Sequence, residues 1–337
     1  MRDDHDPQKE TRTDPQWPTI ERALARLGAP PAEPDWSLVT QVRAPRRVAH
    51  PTRWVLAAAA GLALLAGTAW WRTRDAWLVH ALAGAPRLIA ALPFARGLSE
   101  GARLETGPGE RARLEIGSLG IVDLDPDSRV RRVRGLGAEH RLALEQGRLH
   151  AVILAPPRQF VVETPSAVAT DLGCAYTLEV TRSGDGMLIV QSGWVAFERD
   201  GRETFVPAGA RCATWRDSGP GTPYQSDAPE PFVASLARLD QPLADVAARR
   251  AALQVVLRLA RTDDAFTLWH LLTRVPVAER GAVMERLVLL APPPEGVTRE
   301  RVLVLEPAAL DAWWDALGMG NTSWWRLWKS DAPPTPR

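Results

Sequence analysis

Met187-Leu-Ile-Val-Gln191, Trp194-Val-Ala-Phe-Glu-Arg199 and Glu203-Thr-Phe-Val206 follow one another with only two or three residues between them. Successive side chains of a strand point to opposite faces, so short runs that mix apolar and polar residues in this way build half-buried strands. The intervening residues include Gly193, Asp200 and Gly201, which suit tight turns. Working outward, similar runs occur at residues 112–116, 121–124, 141–144, 148–154, 160–163 and 176–180. Strands recurring at a spacing near ten residues predict an all-β domain over residues 97–215, built as a sandwich, barrel or solenoid. Gly147, Gly193 and Gly209 fall near strand ends, where a positive φ or a bulge is expected, and Pro165 is placed to end a strand.

Downstream the period changes. Residues 216–231 contain Gly-Pro-Gly-Thr-Pro and Ala-Pro-Glu-Pro and read as a linker. From residue 232 to 330, helical spacing predicts a small all-α domain, with a tail at 331–337. Leu243, Val246, Leu253, Val256 and Leu257 form one amphipathic stripe; Phe266, Trp269 and Leu272 form a second, capped by Asp263 or Asp264. A third helix begins near Pro276 and runs to Leu290, and a fourth begins at Pro307, presents Leu310, Trp313, Trp314 and Leu317, and stops at Gly318. The tryptophans, including Trp324, Trp325 and Trp328, fit helix packing; a docking face for an envelope protein or a carbohydrate platform are the functional alternatives.

Upstream, residues 54–71 read WVLAAAAGLALLAGTAWW, with no charge and no proline. Eighteen helical residues reach about 27 Å, close to the hydrocarbon thickness of a bilayer. Leu62 and Leu65 supply much of the transfer energy, while Trp54, Trp70 and Trp71 stand where indoles favour the headgroup layer. A single-pass span over residues 53–72 follows. Arg43, Arg46, Arg47 and Arg53 precede it and only Arg72 and Arg74 follow, so the N-terminus is expected in the cytoplasm. Residues 73–96 read as a helical connector interrupted by Pro86. The arm, residues 1–52, is expected to be largely disordered. Within it Trp17, Ile20, Leu24 and Leu27 recur at helical spacing, as a partner-binding helix or as a segment lying on the membrane surface.

Composition narrows the function. In 337 residues, 41 basic side chains balance 40 acidic ones, which is not the profile of a nucleic-acid binder. The two cysteines, Cys174 and Cys212, form no CxxC pair and are too few for a four-cysteine zinc site. They could close a disulfide loop worth roughly 3–4 kcal/mol, or remain two buried thiols. Phosphate-loop, dinucleotide, zinc-protease and serine-hydrolase motifs are absent from the sequence. His140, His150 and Cys174 carry no nucleophile signature, and Asp123, Asp125 and Asp127 lack the glycine and glutamate of a calcium loop. No cofactor, metal or enzymatic activity is expected.

Five ordered blocks carry a family likeness: Glu145-Gln-Gly147-Arg-Leu149, Phe160-Val-Val-Glu-Thr164-Pro165, Asp171-Leu-Gly173-Cys-Ala-Tyr176, Val190-Gln-Ser-Gly193-Trp-Val195 and Pro207-Ala-Gly209. Their order and spacing resemble the FecR domain over roughly residues 97–215. The sequence departs from that pattern at Cys174, where the family usually has Thr, and at Tyr176, where it usually has Phe. The arm also lacks the longer helical sigma-binding module common in the family. The resemblance implies a regulator in the bacterial inner membrane, with its C-terminal domains in the periplasm. Its implied partners are an extracytoplasmic-function sigma factor on the cytoplasmic side and an envelope or outer-membrane protein on the other. The alternative is a membrane-anchored periplasmic scaffold whose arm is inert.

Overall fold

The computed structural model describes residues 77–89, 97–135, 139–241 and 245–319. The expected arm helix, the stretch at 54–71 and the tryptophans at 324–328 lie outside these residues. Among the described residues no helix is long and apolar enough to cross a membrane.

The first strands are β1 (Leu78–Ala83), β2 (Arg87–Ile89), β3 (Arg103–Glu105), β4 (Arg111–Ile116), β5 (Gly120–Leu124) and β6 (Arg129–Val133). Then come β7 (His140–Ile153), β8 (Phe160–Glu163), β9 (Val168–Asp171), β10 (Ala175–Val180) and β11 (Gly186–Ser192). The series closes with β12 (Trp194–Arg199), β13 (Arg202–Pro207), β14 (Ala210–Trp215), β15 (Gly219–Pro220) and β16 (Tyr224–Gln225).

The 14-residue β7 organises all of them. Its first half pairs with β6 and, in parallel, with β8. Its second half pairs with β5 and β10. One half-sheet therefore runs β2-β3-β6-β7-β8-β9-β12-β13, and the other runs β1-β4-β5-β7-β10-β11-β14, with β15 and β16 on β14. The passage from one to the other occurs at Gly147, whose φ is +94° and whose missing Cβ would fall 2.4 Å from Ser128 Cα. Any larger residue there meets both a left-handed backbone and a collision. Two separate strands, 141–144 and 148–154, are expected from the sequence; the glycine bends the chain without ending its ladder and so merges them. Inward-facing Leu104, Val130, Leu142 and Leu144 of one half join Leu114, Val122, Leu149 and Leu178 of the other in one buried cluster.

Two further expectations are corrected. The connector at 73–96 contributes β1 and β2 rather than a helix. Val79 lies opposite Leu114, and antiparallel pairing with β4 takes up the backbone groups on one side of residues 78–83, while Gly84 at φ +70° and Pro86 turn the chain. The linker at 216–231 is woven into the sheet, and residues 219–224 are all buried. Gly221 N–H donates to Ala213 O at 2.8 Å, so this proline-rich stretch has its own place in the ladder.

Among the described residues six α-helices follow: α1 (Glu230–Asp240), α2 (Val246–Leu259), α3 (Ala265–Arg274), α4 (Val277–Leu290), α5 (Arg299–Leu303) and α6 (Pro307–Ala316). Asp245 caps α2 by accepting from the amides of Ala247 and Ala248. Pro307 opens α6, and Gly318 follows it with φ +72°. Leu253, Val256, Phe266, Leu268, Leu272, Leu287, Trp313 and Trp314 belong to the same buried cluster as the strands. Fully burying each such side chain contributes on the order of 1.5–3 kcal/mol.

Candidate functional site at the junction of sheet and helices

His270 and Arg274 are four residues apart on α3 and so share one face of it. That face meets β13, which ends its half-sheet and pairs only with β12. A strand in that position presents unpaired N–H and C=O groups from alternate residues. Phe205 N–H donates to His270 Nε2 at 3.1 Å, and His270 Nδ1 lies 2.8 Å from Phe266 O. A carbonyl can only accept, so Nδ1 carries the proton and the ring is neutral. Burial pushes the His270 pKa down to about 3, with nearby Arg274 adding to the effect. Two residues along β13, Glu203 O accepts from Arg274 Nη2 at 3.4 Å, and Thr204 Oγ1 accepts from the same nitrogen.

Arg274 continues into a buried polar network. Its Nη1 donates to Thr222 Oγ1 at 2.9 Å and to Asp240 Oδ1 at 3.4 Å. Asp240 also accepts from Arg202 Nη2 at 2.8 Å, from Thr222 N at 2.6 Å and from Thr222 Oγ1 at 2.7 Å. The Arg274 and Asp240 side chains are only 8% and 3% exposed. Burial lowers the Arg274 pKa, Asp240 opposes the shift, and Arg202 adds to it. The network therefore ties the β12–β13 hairpin, the 219–224 segment and the ends of α1 and α3 together. An open cleft of about 480 Å³ lies above it, between Asp200, Arg202, Glu203 and Thr273.

Aromatic rings close the other side. Trp314 of α6 lies 4.7 Å from Trp269, 5.4 Å from His270, 5.8 Å from Phe205 and 6.1 Å from Trp194, measured between ring centroids. Trp269 Nε1 donates to Leu310 O at 2.9 Å. Trp269, Trp313 and Trp314 are thus packing groups: Trp314 clamps α6 to strands β12 and β13, and Trp313 Nε1 donates to Ala291 O at 3.2 Å. The chemistry of the junction is anchorage: His270, Arg274, Asp240 and Thr222 are committed to one another and to β13.

Cys174 and Cys212 are free, buried thiols. Cys174 Sγ donates to Asp171 Oδ2 at 2.5 Å, and Asp171 Oδ1 accepts from Gly173 N at 2.7 Å. Burial pushes the Asp171 pKa up to about 6, against the pull of those two hydrogen bonds. Burial, and then Asp171, raise the Cys174 pKa far above the usual thiol range. Burial raises that of Cys212 to about 12. Thiols held protonated in this way are poor nucleophiles. Gly193 abuts the same turn; a Cβ there would meet Gly173 O at 2.2 Å, and its φ is +72°.

The other titratable groups considered from sequence include one joined pair, His150 and Asp125. His150 Nε2 lies 3.0 Å from Asp125 Oδ2 and its Nδ1 2.9 Å from Thr177 Oγ1, while the His140 ring lies 6.1 Å from that of Trp77. Asp123 takes a two-point hydrogen bond from Arg113. Among the described residues, no group of three or more His, Cys, Asp or Glu could hold a metal ion. Sequence reading passed over His270 and Arg274. The available signal was two polar residues at helical spacing inside the otherwise apolar AFTLWHLLTR.

Comparison with known proteins completes the description. Residues 102–196, from just before β3 into β12, match the family model for FecR protein. Among solved structures, a candidate anti-sigma factor from Parabacteroides distasonis ATCC 8503 is 15% identical, with a TM-score of 0.32, over 40% of this chain and 64% of that one. A second structure so described, from the same organism, gives 14% and 0.29 over 48% and 65%. The chain thus spans less than two thirds of the length of each. No curated protein sequence matches it.

Proposed function

We propose, from the match of residues 102–196 to the FecR family model, that the chain is a transmembrane signal transducer of the bacterial cell envelope. The β domain and the helices clamped to it lie in the periplasm and receive a signal from an envelope or outer-membrane protein. The apolar stretch at 54–71 crosses the inner membrane, and the arm at 1–52 acts on an extracytoplasmic-function sigma factor through Trp17, Ile20, Leu24 and Leu27. The family match carries this reading. The 18 uncharged residues ahead of the domain, with tryptophans at both ends, support the topology. The domain joins its helices through one core, which supports a single receiving body rather than two tethered modules.

Deleting residues 1–42 should alter transcription from neighbouring sigma-dependent promoters, and a tagged fragment of residues 1–50 should recover a sigma factor. Unchanged transcription in every growth condition, with partners found only on residues 97–330, would instead support an anchored periplasmic scaffold.

A further inference from the structure

The outward face of the half-sheet containing β1 changes character along its length. Its first row, read across paired strands, is Leu78, Glu115, Ile121, Val152 and Ala175. The next row is His80, Arg113, Asp123, His150 and Thr177, and beyond it lie the ion pairs Arg111–Asp125 and Arg148–Glu179. The first row is thus mostly apolar and the rest is polar or charged. Leu78 is 53% exposed and Val152 44%; Leu154, two residues further along the same face, is 82% exposed. Three large aliphatic side chains left in water at one corner form an unpartnered apolar surface.

What covers that corner follows from where the chain enters the sheet. Trp77 is 3% exposed and exchanges backbone hydrogen bonds with Leu98, N to O at 3.2 Å and O to N at 2.9 Å. The Arg132 guanidinium lies 4.7 Å from the centre of its ring, and the Phe160 ring 6.1 Å away. The chain is therefore held fast one residue before Leu78. Only seven peptide steps separate Trp71, the last residue of the uncharged stretch, from Leu78, a reach of at most about 25 Å. The row nearest the entry point is the apolar one.

We infer that the corner formed by Leu78, Ile121, Val152 and Leu154 rests on the periplasmic surface of the bilayer, so that the sheet lies against the membrane rather than hanging free on a tether. This rests on the membrane-anchored reading above. Lipid is favoured over a protein partner because the apolar row is the one nearest the point where the tether from the uncharged stretch enters the sheet. The charged rows then face water, the arrangement of an interfacial surface.

The test uses the full chain in vesicles of phosphatidylethanolamine and phosphatidylglycerol, with a nitroxide attached at Leu154→Cys. A parallel sample is labelled at Arg182→Cys, in the exposed turn after β10 at the far, charged end of the face. Leu154 has no packing to lose, and unaltered thermal unfolding verifies that each labelled protein is folded. At 154 collisions with oxygen should be several-fold more frequent, and those with a water-soluble nickel chelate several-fold rarer, than at 182. Equal accessibility at both positions, in protein that survives a carbonate wash of the vesicles, would overturn this inference and leave the anchor standing. Spin–spin broadening at 154 would assign the corner to a second copy of the chain and also overturn it. Release of the protein by carbonate would overturn the anchor itself, and the inference with it.

Discussion

Strands β13 and β1 both end a half-sheet, but the molecule finishes them differently. At β13 the exposed backbone groups meet side chains of α3: His270 accepts from Phe205 N–H, and Arg274 donates to Glu203 O. Trp314 and its aromatic neighbours exclude water around that contact. At β1 no described helix covers the strand, and Leu78 stays 53% exposed. One edge is closed by polar groups placed with hydrogen-bond geometry, the other is left apolar and open. An edge sealed from within cannot recruit a partner strand, whereas an apolar one invites a surface. The helices complete the core of the β domain at β13, while β1 is left open among the described residues.

If β13 depends on α3, the largest effect should come from Arg274→Ala. It removes partners from Glu203 O and Thr204 and leaves Asp240 with Arg202 and Thr222 alone. Because Asp240 keeps one arginine, the loss should sit at the low end for a broken buried pair, about 3 kcal/mol in denaturant titration. Sheet and helices should still unfold in one transition. Two separate transitions in the wild type would break the comparison, since the junction would then not unite them.

A smaller effect should appear on acidification. The folded pKa of His270 is depressed from 6.5 to about 3, so its contribution is fully present above about pH 6.5 and is lost as the pH falls toward 3. The slope is about 1.4 kcal/mol per pH unit, or about 2 kcal/mol between pH 6.5 and 5. Asp171 acts in the opposite sense. Its folded pKa is raised to about 6, so its contribution is fully present below about 3.8 and is lost as the pH rises through 6. The difference between wild type and His270→Gln isolates the histidine, and an identical acid slope in both proteins would remove it from the β13 seal.

The smallest effect belongs to the exposed corner at the end of β7. Leu154→Ser should change the unfolding free energy in detergent by less than about 0.5 kcal/mol, since the side chain is 82% exposed. A larger loss would mean that the corner is part of the core, and its contrast with the sealed β13 edge would fail.

Strand identity was legible at several alternating runs bounded by glycine or proline, as at β5, β8 and β10 through β13, but β14, which alternates directly after Gly209, was passed over. It was hidden at β6, where Arg129, Arg131 and Arg132 obscure Val130 and Val133, and at β1, whose alanines and leucines suit a helix equally. The start of α4 and the limits of α6 were readable from Pro276, Pro307 and Gly318. The role of α3 was not, because a histidine on an apolar helix gives no hint of the amide it will meet 65 residues away.

By itself the sequence determined the order of architecture: an uncharged stretch, a β region, then helices, with Gly147 and Gly193 at positions where only a left-handed backbone serves. Those are consequences of local periodicity and of sterics within a residue. Only the tertiary structure decided that β7 would belong to both half-sheets, that the proline-rich stretch at 219–224 would be buried, and that His270 and Arg274 would close β13. Each of these is a pairing between distant backbone groups and their partners. Hydrogen-bond complementarity of that kind is a property of positions in space, and spacing along a chain does not encode it.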